Sequence, residues 1–126
     1  VDMFKKLLII FFVVFSFKSF AIEKKTNFTL EAFSEAKKNG KTIVINSWNK
    51  NCGTCAKQVK ILNEAEKDFP DVVFLYYEQN RHKDFAKLLK VQYWATIIVY
   101  KNSKEIAKEI GITNKKKIYS LIKKES

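Results

Sequence analysis

Three short runs of β-branched and aromatic residues, at 42–47, 72–77 and 96–100, alternate with helical stripes, and that alternation limits the folds open to this chain. A run that is apolar at nearly every position belongs to a strand covered on both faces. The stripe over 29–40 carries Leu30, Phe33 and Ala36 at three-to-four spacing, with Thr29 as N-cap and Asn39-Gly40 as a stop. The stripe over 53–69 carries Val59, Leu62, Ala65 and Phe69 and ends at Pro70. A shorter one over 82–90 places Phe85, Leu88 and Leu89 on one face. After the third run, a tight turn at 101–104 predicts an antiparallel edge strand to Ile110, broken by Gly111. A last helix over 114–123 carries Ile118, Leu121 and Ile122, and residues 22–28 read as a polar lead-in. The order α-β-α-β-α-β-β-α, with two βαβ crossovers and a terminal hairpin, predicts an α/β domain. Its centre is a mixed β-sheet flanked by helices on both faces.

The first 21 residues stand apart. Met3-Phe4-Lys5-Lys6 is a basic start, residues 7–17 are an apolar core, and Ser19-Phe20-Ala21 has small residues where a signal peptidase reads. This plan predicts a secretory signal peptide over 1–21, cleaved after Ala21, and one domain over 22–126. A spanning helix needs about 20 apolar residues, and this core stops at Lys18, so a membrane is met only through this segment if it stays uncleaved. A periplasmic or exported location is expected, and an oxidising compartment lets a disulfide persist. Residues 1–21 carry Lys5, Lys6 and Lys18 against Asp2, which leaves +9 of the chain's +11 on residues 22–126. Arg81 is the single arginine, and no aromatic-plus-basic motif accompanies the lysines, so no nucleic-acid partner is expected. The lysine excess reads as solubility.

Cys52 and Cys55 are the chain's two cysteines, in one Cys-Gly-Thr-Cys unit where a strand run gives way to a helical stripe. A helix N-terminus presents unpaired N–H groups and the positive end of the macrodipole. A thiol there is held as thiolate, below the free pKa of about 8.5, and Lys50 adds positive charge nearby. Two thiols on one helical turn can also close a disulfide. The carboxyl end of a central strand is the usual place for chemistry in such sheets. A closed zinc site needs about four ligands, and two cysteines with the lone His82 do not make one; Ala56 after Cys55 excludes haem attachment. A metal or iron–sulfur cluster shared between two copies needs no further residues and stays open. A purely structural disulfide also stays open, although so short a loop constrains little chain entropy.

With Trp48 four residues before Cys52, the Glu78-Gln79-Asn80 strand exit, the Thr96–Tyr100 strand, the Lys101-Asn102 turn and Gly111 before the last helix, the chain resembles the thioredoxin family over residues 29–124. Within it, the chain looks like an exported thioredoxin-like protein of bacteria. The resemblance implies thiol–disulfide exchange on protein clients, with Cys52 attacking, Cys55 resolving, and no cofactor or metal. It implies active-site support or substrate docking by Trp48, Asn51, Gly53, Thr54, Trp94, Ala95 and Thr96. It also implies a periplasmic reductase fed by a membrane thiol-reductant conduit. Four positions depart from the family pattern. Asn51 replaces the tryptophan before the first cysteine, Asn46 the buried acid, Phe74 the buried lysine, and Ala95 the cis-proline. Since cis costs about 2.5–4 kcal/mol before a non-proline residue, the Trp94–Ala95 bond is expected trans. The two lost aids, at Asn46 and Ala95, define the alternative: a low-turnover module that holds client thiols or a metal.

Overall fold

The computed structural model describes residues 26–125, so the expected signal peptide over 1–21 and its cleavage site lie outside the described residues. The elements run α1 (Leu30–Lys38), β1 (Ile43–Trp48), α2 (Gly53–Asp68), β2 (Val73–Glu78), α3 (Lys83–Leu89), β3 (Thr96–Lys101), β4 (Lys104–Ile110) and α4 (Lys115–Lys123). Caps set several of these ends. Thr29 Oγ1 accepts the Ala32 N–H at 3.0 Å and Asn114 Oδ1 accepts the Lys117 N–H at 3.0 Å, each satisfying a donor the helix itself leaves open. Asn102 and Ser103 both take positive φ, 50° and 69°, the geometry of a two-residue hairpin turn matched to strand twist.

The sheet order is β2-β1-β3-β4. β1 and β2 are parallel, whereas β3 is antiparallel to both β1 and β4. The second expected crossover is therefore not one. The chain enters β3 at the end where it left β2, with Thr96 opposite Ser47.

Side chains alternate across the strands and build two cores. Ile43, Ile45, Leu75, Tyr77 and Ile98 meet Phe33, Ala36, Ala86 and Leu89 from α1 and α3. Val44, Phe74, Tyr76, Ile97 and Val99 meet Leu62, Ala65, Ile118 and Ile122 from α2 and α4. Burying each Val, Leu, Ile or Phe side chain among them contributes about 1.5–3 kcal/mol. Three sequence expectations shift here. Leu30 and Leu88 are exposed, because α1 and α3 bury narrower faces through Phe33 with Ala36 and Ala86 with Leu89. On α2, Gln58 is fully buried while Val59 is half-buried.

The lead-in is not loose at its end. Phe28 joins the first core, and Asn27 lies along β2 as a stand-in for a further strand. Its Nδ2 donates to Phe74 O at 3.1 Å, its Oδ1 accepts the Tyr76 N–H at 2.7 Å, and its own N–H donates to Tyr76 O at 3.1 Å.

Candidate active site

β1 delivers the cysteine loop to the carboxyl end of the sheet, and Asn49 folds that loop. The buried Asn49 accepts the Asn51 N–H on Oδ1 at 2.9 Å and the Cys52 N–H on its carbonyl at 3.1 Å. An Asn accepting from the backbone two residues on is an Asx-turn; its residue type is the only local signal that Asn49 shapes the loop. Cys52 then serves as N-cap of α2, its Sγ accepting the Cys55 N–H at 3.1 Å. In the reduced protein, a backbone donor at this sulfur and the helix end both favour a thiolate.

Cys52 and Cys55 are joined as a disulfide, with Cα atoms 5.2 Å apart. Their exposure differs: Cys52 is half-buried, Cys55 is 1% exposed. Beside Cys52 opens a groove lined by Thr54, Tyr93, Trp94, Ala95, Ile110 and Gly111. Tyr93, Trp94 and Ile110 are large apolar side chains left exposed, Trp94 at 39%.

The wall opposite the cysteines is a loop held from below. Ala95 has φ 56° and no cis peptide bond occurs among the described residues, so Trp94–Ala95 is trans. The Ala95 N–H donates to Ser47 O at 2.9 Å, and Ala95 O accepts the Gly111 N–H at 2.8 Å and Gln58 Nε2 at 3.0 Å. Both backbone groups of Ala95 are thus spent inside the protein. Thr96 is buried, its N–H on Ser47 Oγ at 3.3 Å and its Oγ1 donating to Tyr93 O at 2.8 Å.

Beneath the loop lies a buried amide pair. Gln58 Nε2 donates to two carbonyls, Ala95 O and Ile112 O (2.9 Å), so its Oε1 must face Asn46, whose Nδ2 donates to it at 3.0 Å and to Thr96 O at 3.3 Å. Asn46 Oδ1 is buried without a hydrogen-bond partner. Nothing in the helical stripe marked Gln58; a polar residue at a core position next to Val59 reads as surface until its partners, 12 to 54 residues away, are known.

Of the residues singled out from sequence, the structure gathers Cys52, Thr54, Trp94 and Ala95 around one groove. Trp94 lies over the strand exit, its Nε1 donating to Asn80 Oδ1 at 3.1 Å. Trp48 packs against the α2/α4 core, Asn51 is exposed on the cysteine loop and Gly53 on the first turn of α2, and Thr96 braces the loop opposite from within. His82 stacks on Phe85, ring centroids 5.0 Å apart, away from the groove lining. Among the described residues no three His, Cys, Asp or Glu side chains converge as metal ligands.

The disulfide stands at the start of a helix on this sheet order, and the thioredoxin family model matches residues 23–124. The chain belongs to the thioredoxin family. Among curated relatives, the thioredoxin of Mycoplasma genitalium is 30% identical over 92 residues, covering 73% of this chain and 87% of the relative. An H-type thioredoxin of Fagopyrum esculentum is 32% identical over 81 residues, covering 64% and 70%. Among solved structures, oxidised mitochondrial thioredoxin 3 of Saccharomyces cerevisiae superposes with TM-score 0.68 at 28% identity, covering 78% of this chain and 92% of that one. The Trxlp protein of Edwardsiella tarda shares the fold, with TM-score 0.73 at 19% identity over 77% and 96% of the two chains. With its Cys52–Cys55 disulfide, the protein is a thiol–disulfide oxidoreductase of thioredoxin type.

Proposed function

We propose that this thioredoxin acts as an exported reductase of protein disulfides, with Cys52 as nucleophile and Cys55 as resolving thiol. The difference in exposure carries the assignment: Cys52 reaches the groove, Cys55 does not. In the reduced protein, the Cys52 thiolate attacks one client sulfur, forming a mixed disulfide while the other client sulfur leaves as thiolate. The Cys55 thiolate then attacks Cys52 Sγ, closing the internal disulfide and releasing the second client thiolate. Two electrons pass from the protein to the client, and an external dithiol restores the pair. In a periplasmic setting that dithiol belongs to a membrane thiol-reductant conduit, a reading supported by the basic-apolar-small plan of residues 3–21 and the expected cleavage after Ala21.

Insulin reduction with dithiothreitol as electron source tests the chemistry. Cys52→Ser abolishes turnover, and Cys55→Ser accumulates a mixed disulfide with the client. The Cys52–Cys55 potential decides direction: a value near −270 mV, as for thioredoxins, supports reduction, and one near −120 mV supports oxidation. Mass spectrometry of protein from a cell-envelope fraction tests export; full-length protein confined to the cytosol overturns it. The spent backbone groups of Ala95 favour a second reading, a low-turnover module holding client thiols or a metal. Tight client or metal capture without insulin turnover is its signature.

A further inference from the structure

Gln58 lies one helical turn after Cys55 on the same buried face of α2. Its amide is a three-way joint. Oε1 accepts from Asn46 on β1, and Nε2 donates to Ala95 O and to Ile112 O, on two separate segments. Ala95 and Gly111 also hold each other, through Gly111 N–H to Ala95 O at 2.8 Å, and both line the groove beside Cys52.

A buried amide is costly unless its hydrogen bonds are made, and an apolar side chain fills such a position without that cost. Hydrogen bonds, unlike apolar contacts, fix direction and distance. The plain reading is a satisfied core polar group. That reading accounts for the burial, but it leaves unexplained why one donor goes to Ala95 in one groove wall and the other to Ile112, the residue after Gly111 in the other wall. We propose that Gln58 is a positioning residue for client binding: its amide, bonded to Ala95 O and to Ile112 O next to Gly111, sets the groove walls Ala95 and Gly111 at their distance from Cys52. The inference rests on protein disulfides being the clients. Losing the amide leaves the sulfur chemistry in place but lets the walls drift, so the client binds more weakly.

The test is steady-state insulin reduction with dithiothreitol by the wild-type chain, Gln58→Leu and the double variant Asn46→Leu/Gln58→Leu. The double variant removes the amides as a unit and leaves no unpaired Asn46, which keeps it foldable if the single variant is not. KM for insulin is expected to rise roughly tenfold in both, with kcat falling less than about twofold. A purely structural role predicts the reverse, since loss of folded protein lowers apparent kcat and leaves KM unmoved. An unchanged KM in either folded variant, beside an active wild type, overturns the role of Gln58 alone. A wild-type chain inert toward insulin overturns the protein-client reading and this inference with it.

Discussion

The backbone N–H of Ala95 donates to the carbonyl oxygen of Ser47 at 2.9 Å, tying the loop opposite the cysteines to the strand that delivers them. With φ at 56°, Ala95 occupies the left-handed region, at a cost of order 1–3 kcal/mol that the surrounding bonds must offset. Proline fixes φ near −65° and has no N–H, so it fits neither requirement. Ala95→Pro is expected to lower stability by about 3 kcal/mol and to change client rates, read from the urea midpoint and insulin kinetics. A variant as stable as wild type shows that the loop adopts another backbone.

Asn27 closes the β2 edge with its side-chain and backbone bonds to Phe74 and Tyr76. Asn27→Ala loses the two side-chain bonds and is expected to cost about 1–3 kcal/mol. It also bares strand groups that invite pairing with another chain. Concentration-dependent association in sedimentation velocity, absent from wild type, is the check.

Asn46 Nδ2 points at two acceptors, Gln58 Oε1 and Thr96 O. In Asn46→Asp a carboxylate oxygen replaces that donor, and burial together with the facing oxygens raises its pKa above the ordinary value of about 3.9. A raised folded pKa means the folded chain holds the proton longer than the unfolded one. Relative stability is therefore intact below about pH 4 and is lost as pH rises through the folded value. At pH 7 the variant is expected to lie about 2–4 kcal/mol below wild type, a gap that closes toward pH 4. A pH-independent gap in urea titrations contradicts the burial argument.

Burial pushes the phenols of Tyr76 and Tyr77 well above their ordinary 10.0. Tyr119 is pushed up to about 12, by desolvation first and then by donating to Asp68 Oδ2 at 2.6 Å. Above pH 10 the unfolded chain releases these protons while the folded chain keeps them, so stability falls with rising pH through the folded values. The urea midpoint is expected to hold below about pH 10 and drop beyond it. Tyr77→Phe is expected to flatten that drop, with phenolate absorbance reporting the titration directly.

Local chemistry made much of this protein legible. The Cys-Gly-Thr-Cys unit at a strand-to-helix junction, the Thr29 cap, and the three buried runs follow from backbone geometry and side-chain periodicity, which act over a few residues. The sequence alone therefore determined the element order, the redox pair and its place at the end of a central strand.

Contacts between distant segments decided the rest. The reversal of β3 rests on its pairing with β1, Thr96 opposite Ser47, between segments 49 residues apart. The burial of Gln58 depends on carbonyls at Ala95 and Ile112, and the edge role of Asn27 on strand groups at Phe74 and Tyr76. A polar side chain is recognised as core only when its partners are brought to it, because its hydrogen bonds, not its hydropathy, make its burial tolerable. Tertiary structure thus decided which sulfur of the pair reaches the groove, and which hydrogen bonds hold the groove's residues.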